Sequence, residues 1–289
     1  MGFFIQNKYA IAFKKSKDKI LILGASGFLG NGLYKELYRY YNTYGTYHSG
    51  KIYSDNKHYL KFDLVNDDVY ELLRQIQPSV IISALRGPFT DQLEAHELMV
   101  GYAQETGCRI IFLSSANVFD AFSNYPSYEN DKTLSQSIYG KLKIRVETLL
   151  MRHLPEEQYA IVRLPMVFGV GSPRIQALKN ELLLGDPIEV FPHLVMNTTT
   201  DAKLRQQIHY IINRKLSGIF HLGSTDLIHH KEFIHELVIM LDLNRKPIYK
   251  NVFTSNTDRY LAVLPRDNRL PKHLQITNET VVESSKKYI

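Results

Sequence analysis

Residues 20–30 read Ile20-Leu-Ile-Leu-Gly24-Ala-Ser-Gly27-Phe-Leu-Gly30. Ile20 to Leu23 form an unbroken aliphatic run, the pattern of a short strand buried on both faces of a parallel sheet. The run stops at Gly24, and glycine returns at Gly27 and Gly30. Over residues 31–41, Leu33, Leu37 and Tyr40 recur at helical spacing. The stretch therefore predicts strand, glycine turn, helix. Glycines in such a turn let the backbone approach a diphosphate closely. The free N–H groups and positive dipole end of the new helix then bind that anion. The spacing is Gly-x-x-Gly-x-x-Gly rather than Gly-x-Gly-x-x-Gly, so its weight comes from the strand before it and the helix after it. The competing reading is a turn that serves structure alone.

Outward from this stretch, strand-like and helix-like segments alternate. Residues 43–48, 58–64, 79–84, 109–113 and 159–164 read as further strands. Residues 67–76, 92–106 and 137–153 read as helices, with Asp67 as a cap on the first and Gly107 closing the second. That rhythm predicts an α/β fold, a Rossmann-type doubly wound parallel sheet. After Pro165 the rhythm breaks. Residues 169–173 read as a loop, 175–184 as a helix, and 188–190 as a strand outside the main sheet. Residues 201–213 and 219–222 read as a helix–strand pair returning to the sheet. The expected division is an N-terminal extension at 1–18 and a dinucleotide-binding domain at 19–168, to which 201–222 returns. A smaller, discontinuous α/β substrate-binding part is expected at 169–200 and 223–289.

Composition narrows the class. The chain has 289 residues, 44% hydrophobic and 22% charged, an ordinary globular balance. It lacks an apolar run of membrane-spanning length, and no membrane partner is expected. The single cysteine, Cys108, excludes an intrachain disulfide and reads as a small buried residue entering a strand; a cytoplasmic location is the expectation. Residues 1–18, with apolar Phe3-Phe4-Ile5 and 10–13, do not read as a signal peptide, and Gln6 breaks a myristoylation pattern. The net charge of +6 suits an anionic ligand, but the basic residues are scattered in short pairs, which argues against nucleic acid. The histidines lack the spacing of a metal site, so no metal is expected.

The end of the second strand, in a doubly wound fold, lies near the adenine ribose. A carboxylate there favours NAD; a basic or small polar residue leaves room for a 2′-phosphate. His48, Ser49 and Lys51 stand there, with no carboxylate before Asp55, which points to NADP rather than NAD. A solvated loop is the plainer reading.

Tyr139 and Lys143, four apart on a predicted helix, share a face. A tyrosine near its ordinary pKa of roughly 10 is a poor acid at neutral pH, and an adjacent ammonium lowers that value. Such a pair can act as general acid/base beside a nicotinamide. Tyr-x-x-x-Lys occurs four times here, at Tyr47/Lys51, Tyr53/Lys57, Tyr128/Lys132 and Tyr139/Lys143, so spacing alone selects nothing. Only the last lies on a long helix, shortly after a strand that ends in Ser114-Ser115. Ligands bind at the carboxyl ends of parallel strands, where Ser115 can hydrogen-bond a substrate oxygen.

At this point the chain resembles a family. GASGFLG at 24–30, SSANVFD at 114–120, YGKLK at 139–143 and RLPMVFG at 163–169 occur in the order of the extended short-chain dehydrogenase/reductases. Within them it is most similar to the dTDP-4-dehydrorhamnose reductase branch. SSANVFDA resembles that branch's STDYVFDG, Tyr128-Glu129 its Y-x-E segment, and 218–223 its GIYHL strand. The likeness covers about residues 19–243, with a weaker echo at 265–270. It implies that Ser115 is the catalytic Ser/Thr, Tyr139 the general acid and Lys143 its partner. It places Gly24, Gly27 and Gly30 on the pyrophosphate and Ser26, Phe28 and Leu29 in the cofactor-contacting turn. Asp63 and Leu64 correspond to the adenine-binding pair, Ala84 and Leu85 to cofactor contacts after the fourth strand, and Pro165 to the proline beside the nicotinamide. A homodimer is the family-level expectation.

The departures are informative. Ala116 replaces the aspartate of STD, and Ala116-Asn117 lacks the Asp-Glu pair of sugar-nucleotide dehydratases and the cysteine of GDP-fucose synthases. Gln92 stands where related enzymes have an asparagine. The expected function is NAD(P)H-dependent reduction of a nucleotide-activated 4-keto-6-deoxy sugar. Arg174, ahead of the 175–184 helix, is the candidate for the substrate diphosphate; a solvated arginine at a helix start is the alternative. SSANV also resembles the pattern of NAD-dependent sugar-nucleotide epimerases. The same branch is similar to the regulatory subunit of methionine adenosyltransferase, a non-catalytic NADP-binding reading.

Overall fold

The computed structural model describes residues 18–121, 124–242 and 244–288. The apolar segments at 3–5 and 10–13, and residues 1–17 of the expected N-terminal extension, lie outside the described residues. The first strand, β1 (Lys19–Leu23), alternates strictly in what it buries: Ile20 and Ile22 enter one core, Leu21 and Leu23 the other. Both faces are therefore covered, which is why the run shows no polar alternation.

β1 leads through the glycine turn into α1 (Phe28–Leu37), then β2 (Asn42–Tyr47), a short α2 (Lys51–Ser54) and β3 (Tyr59–Lys61). The second half-sheet runs α3 (Val69–Ile76), β4 (Val80–Ser83), α4 (Phe89–Thr106), β5 (Arg109–Ser115), α5 (Ile138–His153) and β6 (Tyr159–Leu164). After β7 (Met166–Phe168) come α6 (Pro173–Leu184), β8 (Ile188–Val190), β9 (Leu194–Met196) and β10 (Thr198–Thr200). The chain then adds α7 (Asp201–Asn213), β11 (Gly218–His221), β12 (Ile228–His229), α8 (His230–Leu241), β13 (Tyr249–Asn251), β14 (Arg259–Leu261) and α9 (Asn278–Ser284).

Seven strands pair in the order β11-β6-β5-β4-β1-β2-β3, all parallel. Chain direction across the sheet reverses between β1 and β4, which opens a crevice at their carboxyl ends. Helices α1 and α7 cover one face, where Leu33, Leu37, Leu204 and Ile208 join the core. Helices α3, α4 and α5 cover the other through Leu73, Met99 and Val146. A third core, built on Ile175, Leu178, Val190, Phe233 and Leu237, gathers α6, β8 and α8. β8 pairs with β13 rather than with the main sheet, and β9 lies between β12 and β14.

A buried polar knot ties this third core to the rest. Asn197, fully buried, donates to the Ser224 and Val263 carbonyls at 3.0 and 2.9 Å and accepts from Val263 N–H at 3.1 Å. With every polar atom partnered, such a knot fixes orientation at little desolvation cost.

Some boundaries differ from the sequence reading. Asp68, not Asp67, caps α3 by accepting from Tyr70 N–H at 2.7 Å. Asp67 is drawn back to Asp63 N–H, also at 2.7 Å. α4 starts at Phe89, directly after Pro88, rather than at 92, and α6 starts with Pro173 itself, whose missing N–H costs nothing at a first helical position. β5 runs on to Ser115 because Ser114 and Ser115 pair with Arg163 and Leu164 of β6. Gly107 closes α4 in the left-handed conformation, φ 73°, as read. Cys108 is 2% exposed, and burial pushes its thiol up to about 12, so it packs rather than reacts. Among the described residues no helix is long and apolar enough to cross a membrane.

Candidate functional site

A cleft of about 1130 Å³ runs along the carboxyl ends of the strands, across the point where sheet order reverses. Its wall includes Gly24, Ser26, Gly27, Phe28, Leu29, Gly30, His48, Asp63, Leu64, Ala84, Leu85, Ser115, Tyr139, Lys143, Pro165 and Arg174; Ser49 and Lys51, read with His48 from the sequence, are not part of it. Segments up to 150 residues apart thus meet in one cavity.

The glycine turn forms one end. Gly24 adopts φ +83°, and a Cβ on it would stand 2.6 Å from the Ala84 carbonyl oxygen. At Gly30 a Cβ would come within 2.2 Å of the Gly24 carbonyl oxygen. These two glycines let β1, the turn and α1 nest against each other and against the β4 end. Gly24 N–H donates to Thr46 Oγ1 at 2.8 Å, which pins the turn to β2. Gly27 precedes α1 without a side-chain cap, and the helix has no acidic residue in its first turn. Its leading N–H groups are therefore available to an anion in the cleft. A close-packed glycine turn and an uncapped helix start fit a dinucleotide pyrophosphate.

At the β2 end, His48 Nε2 lies 3.5 Å from Asp63 Oδ2. Hydrogen bonds from Asn66 and from Val65 N–H, with the nearby His48, hold the Asp63 carboxyl below its usual range. Lys51 is exposed at the start of α2.

The other end holds Ser115, Tyr139 and Lys143. Ser115 ends β5; its hydroxyl donates to Asn117 Oδ1 at 3.0 Å and accepts from Asn117 N–H at 3.2 Å. α5 docks onto this turn so tightly that a Cβ at Gly140 would meet Ser135 Oγ at 2.1 Å and the Asn117 carbonyl oxygen at 2.3 Å. That close approach is what sets Tyr139 beside Ser115. Asp120 organises the approach: it accepts from Ser135 Oγ at 2.9 Å, Gln136 N–H at 2.6 Å and Ser137 Oγ at 2.6 Å. Desolvation pushes its carboxyl up, but these bonds outweigh it and hold the group below its usual range. Ser137 in turn caps α5 by accepting from Gly140 N–H at 3.1 Å.

Lys143 is 6% exposed. Its ammonium donates to the Leu113 carbonyl at 3.0 Å and lies 5.5 Å from the centre of the Tyr139 ring. Desolvation draws it down to about 8, opposed by Glu147 and assisted by Arg86. Tyr139 departs from the sequence reading. Desolvation raises its phenol above the ordinary value, and the groups pulling it down are Ser115, Arg86 and Arg174 rather than Lys143. The lysine ammonium is bonded to the backbone of β5.

Beneath the pair lies a buried ion pair. Glu147 and Arg163 are 1% and 2% exposed, with Nη2 and Oε2 2.8 Å apart. Glu147 also accepts from Ser114 Oγ at 2.5 Å, and Arg163 Nη1 donates to the Glu129 carbonyl at 2.9 Å. Glu129 itself accepts from Arg266 N–H at 3.1 Å. The Tyr128-Glu129 segment thus links β6 to the C-terminal part.

Arg86 and Asn117 also line the cleft, and sequence reading gave them no role. The available signal was position: each follows the carboxyl end of a central parallel strand, where ligands bind.

The profile of the RmlD substrate binding domain matches residues 18–268. Methionine adenosyltransferase 2 subunit beta from Danio rerio is 31% identical over 163 residues, covering 52% of this chain and 48% of that protein. The dTDP-4-dehydrorhamnose reductase of Salmonella typhimurium is 28% identical over 117 residues, 36% of this chain and 38% of that one. The chain thus spans about half the length, or less, of these relatives. The crystal structure of dTDP-4-dehydrorhamnose reductase from Bacillus anthracis in complex with NADP superposes with a TM-score of 0.75 at 21% identity, covering 94% of this chain and 99% of that one. With its matched profile spanning both the glycine turn and the Ser115–Tyr139–Lys143 cluster, this chain belongs to the RmlD substrate-binding-domain family.

Proposed function

We propose that this protein is an NADPH-dependent reductase of a nucleotide-activated 4-keto-6-deoxy sugar, of the dTDP-4-dehydrorhamnose reductase kind. The observation that carries the reading is that one cleft joins an uncapped glycine-turn anion site to Ser115, Tyr139 and Lys143. The dinucleotide would supply the hydride. The chain does the rest. Ser115 holds the carbonyl oxygen, and Tyr139 gives its hydroxyl proton to that oxygen as negative charge develops. Lys143, on the same helix face and 5.5 Å from the Tyr139 ring, would bond the cofactor ribose, while Arg86 and Arg174 are the charges that lower the cost of leaving a phenolate behind. Tyr139 and Lys143 also bound the nicotinamide end of the cleft together with Pro165, Ala84 and Leu85. Ser26, Phe28 and Leu29 flank the pyrophosphate, and Asp63 and Leu64 the adenine. His48, with Lys51 nearby and no carboxylate closing β2, favours NADP over NAD. The parts at 169–200 and 223–289 would hold the sugar nucleotide, with Arg174 on its diphosphate.

A second reading is a non-catalytic, NADP-binding regulatory subunit, favoured by the likeness to methionine adenosyltransferase 2 subunit beta. Incubation with dTDP-4-dehydrorhamnose separates the two. The reductase reading expects stoichiometric loss of NADPH absorbance with formation of the reduced sugar. Tight NADPH binding with no consumption, and activation of a methionine adenosyltransferase, would overturn it. Product formed without net NADPH loss would instead mark an epimerase.

A further inference from the structure

Two arginines face the catalytic half of the cleft without a counter-charge. Arg86 follows β4, Arg174 is the second residue of α6, and both line the same cavity as Tyr139. Among the described cleft-lining residues the one carboxylate is Asp63, at the adenine end. Neither arginine has an ion pair or a hydrogen bond among the described residues. Each is close enough to feel the other's charge, and both act on Tyr139.

Like charges on one cavity wall repel, yet both stand on anchored backbone. Gln92, 5% exposed, donates from Nε2 to the Gly87 carbonyl at 2.7 Å. Gly87 itself takes φ +147°, and a Cβ there would stand 2.9 Å from Leu64. On the other side, Ser172 is fully buried and Pro173 opens α6. The fold therefore brings two unpaired guanidiniums to the wall of one cleft, where a bound anion would relieve their repulsion.

We propose that Arg86 and Arg174 form a single clamp on the diphosphate of the nucleotide-sugar substrate, and that Arg86 is a specificity-determining residue. This rests on the sugar-nucleotide reading of the cleft. The cofactor's own pyrophosphate has a separate seat at the glycine turn, whereas Arg174 comes from the part after β6. A guanidinium fork matches phosphate oxygens two at a time, so two forks suit a diphosphate better than a single carboxylate. Clamping also joins the β4 loop to α6, so that substrate binding draws the two parts of the site together.

The test is titration with dTDP, and with UDP in parallel, in the presence and absence of NADPH, on the intact protein and on R86A, R174A and the double variant. Nicotinamide fluorescence reports the cofactor and calorimetry the nucleoside diphosphate. Loss of one charge-assisted contact predicts roughly tenfold to hundredfold weaker nucleoside diphosphate binding in each single variant. Because one group is shared, the double variant should lose less than the product of the two. R86K should recover only part of the affinity. Unchanged diphosphate affinity in R86A, with thermal unfolding intact, would overturn the proposal. So would weakening of NADPH but not of dTDP or UDP, which would assign Arg86 to the cofactor. If the intact protein fails to bind NADPH, the reductase reading falls, while the clamp still stands or falls on diphosphate binding without cofactor.

Discussion

Replacing Tyr139 with Phe is expected to lower kcat for carbonyl reduction by about two to four orders of magnitude, the usual contribution of a positioned general acid. The substitution removes one oxygen and leaves the ring. Tyr139 is 42% exposed to the cleft, so its loss of a hydroxyl opens no cavity and leaves no buried group without a partner. Ser115 keeps its bonds to Asn117 Oδ1 and N–H. Lys143 keeps its bond to the Leu113 carbonyl. NADPH affinity should therefore change by about threefold or less, and the thermal midpoint hardly at all. Steady-state turnover, paired with a cofactor titration, checks both halves. A Phe variant that turns over like the parent would remove Tyr139 from the chemistry.

The Glu147→Ala variant should show the largest loss of stability of any single change near the site. It leaves the Arg163 guanidinium, 2% exposed, without its counter-charge, and strips Ser114 Oγ of its acceptor. Breaking a buried pair from one side costs about 3–5 kcal/mol, most of it the penalty of the charge left behind. For a chain of this size that is a fall of about 10 °C in Tm. Lys143 should respond as well. Glu147 is the group that opposes its desolvation, so without it the ammonium becomes easier to deprotonate and activity should fade at a lower pH on the alkaline side. Replacing both members of the pair with methionine should recover part of the stability, since two apolar side chains leave no orphaned charge. Thermal denaturation of the parent and the two variants reads this directly. If Glu147→Ala melts within a degree or two of the parent, the pair does not hold this end of the sheet.

The fold was legible because its main signal is redundant. Ile20 to Leu23, Val80 to Ile82 and Ile110 to Leu113 are apolar runs that only a doubly covered sheet can bury. Helix starts were less legible. Asp67 and Asp68 are equally good caps in sequence, and only the folded chain shows Asp67 pulled toward Asp63 N–H. Phe89 opens its helix after Pro88, with no polar cap, and Ser172, at the cap position before Pro173, makes no capping bond. In the site, helix context selected Tyr139/Lys143 from four equally spaced pairs. The electrostatics around that pair were not legible, because they come from Arg86 and Arg174, which lie outside any periodic pattern. Arg86 sits in an exposed Arg-Gly-Pro loop that reads as a solvated turn until Gln92 and Leu64 are seen to fix it. The role of Gly140 was hidden for a related reason: a glycine near a helix start looks incidental until Asn117 and Ser135 are found where its side chain would be.

The most direct measurement is a fluorescence titration of the purified protein with NADPH and with NADH. The chain has no tryptophan, so nicotinamide emission is read against a low background. The account predicts saturable binding of both, with NADPH tighter by about tenfold, one or two favourable contacts to the 2′-phosphate. Absence of binding by both nucleotides would contradict the assignment of Gly24 to Gly30 as a dinucleotide cradle, and with it the reductase reading that rests on that cradle.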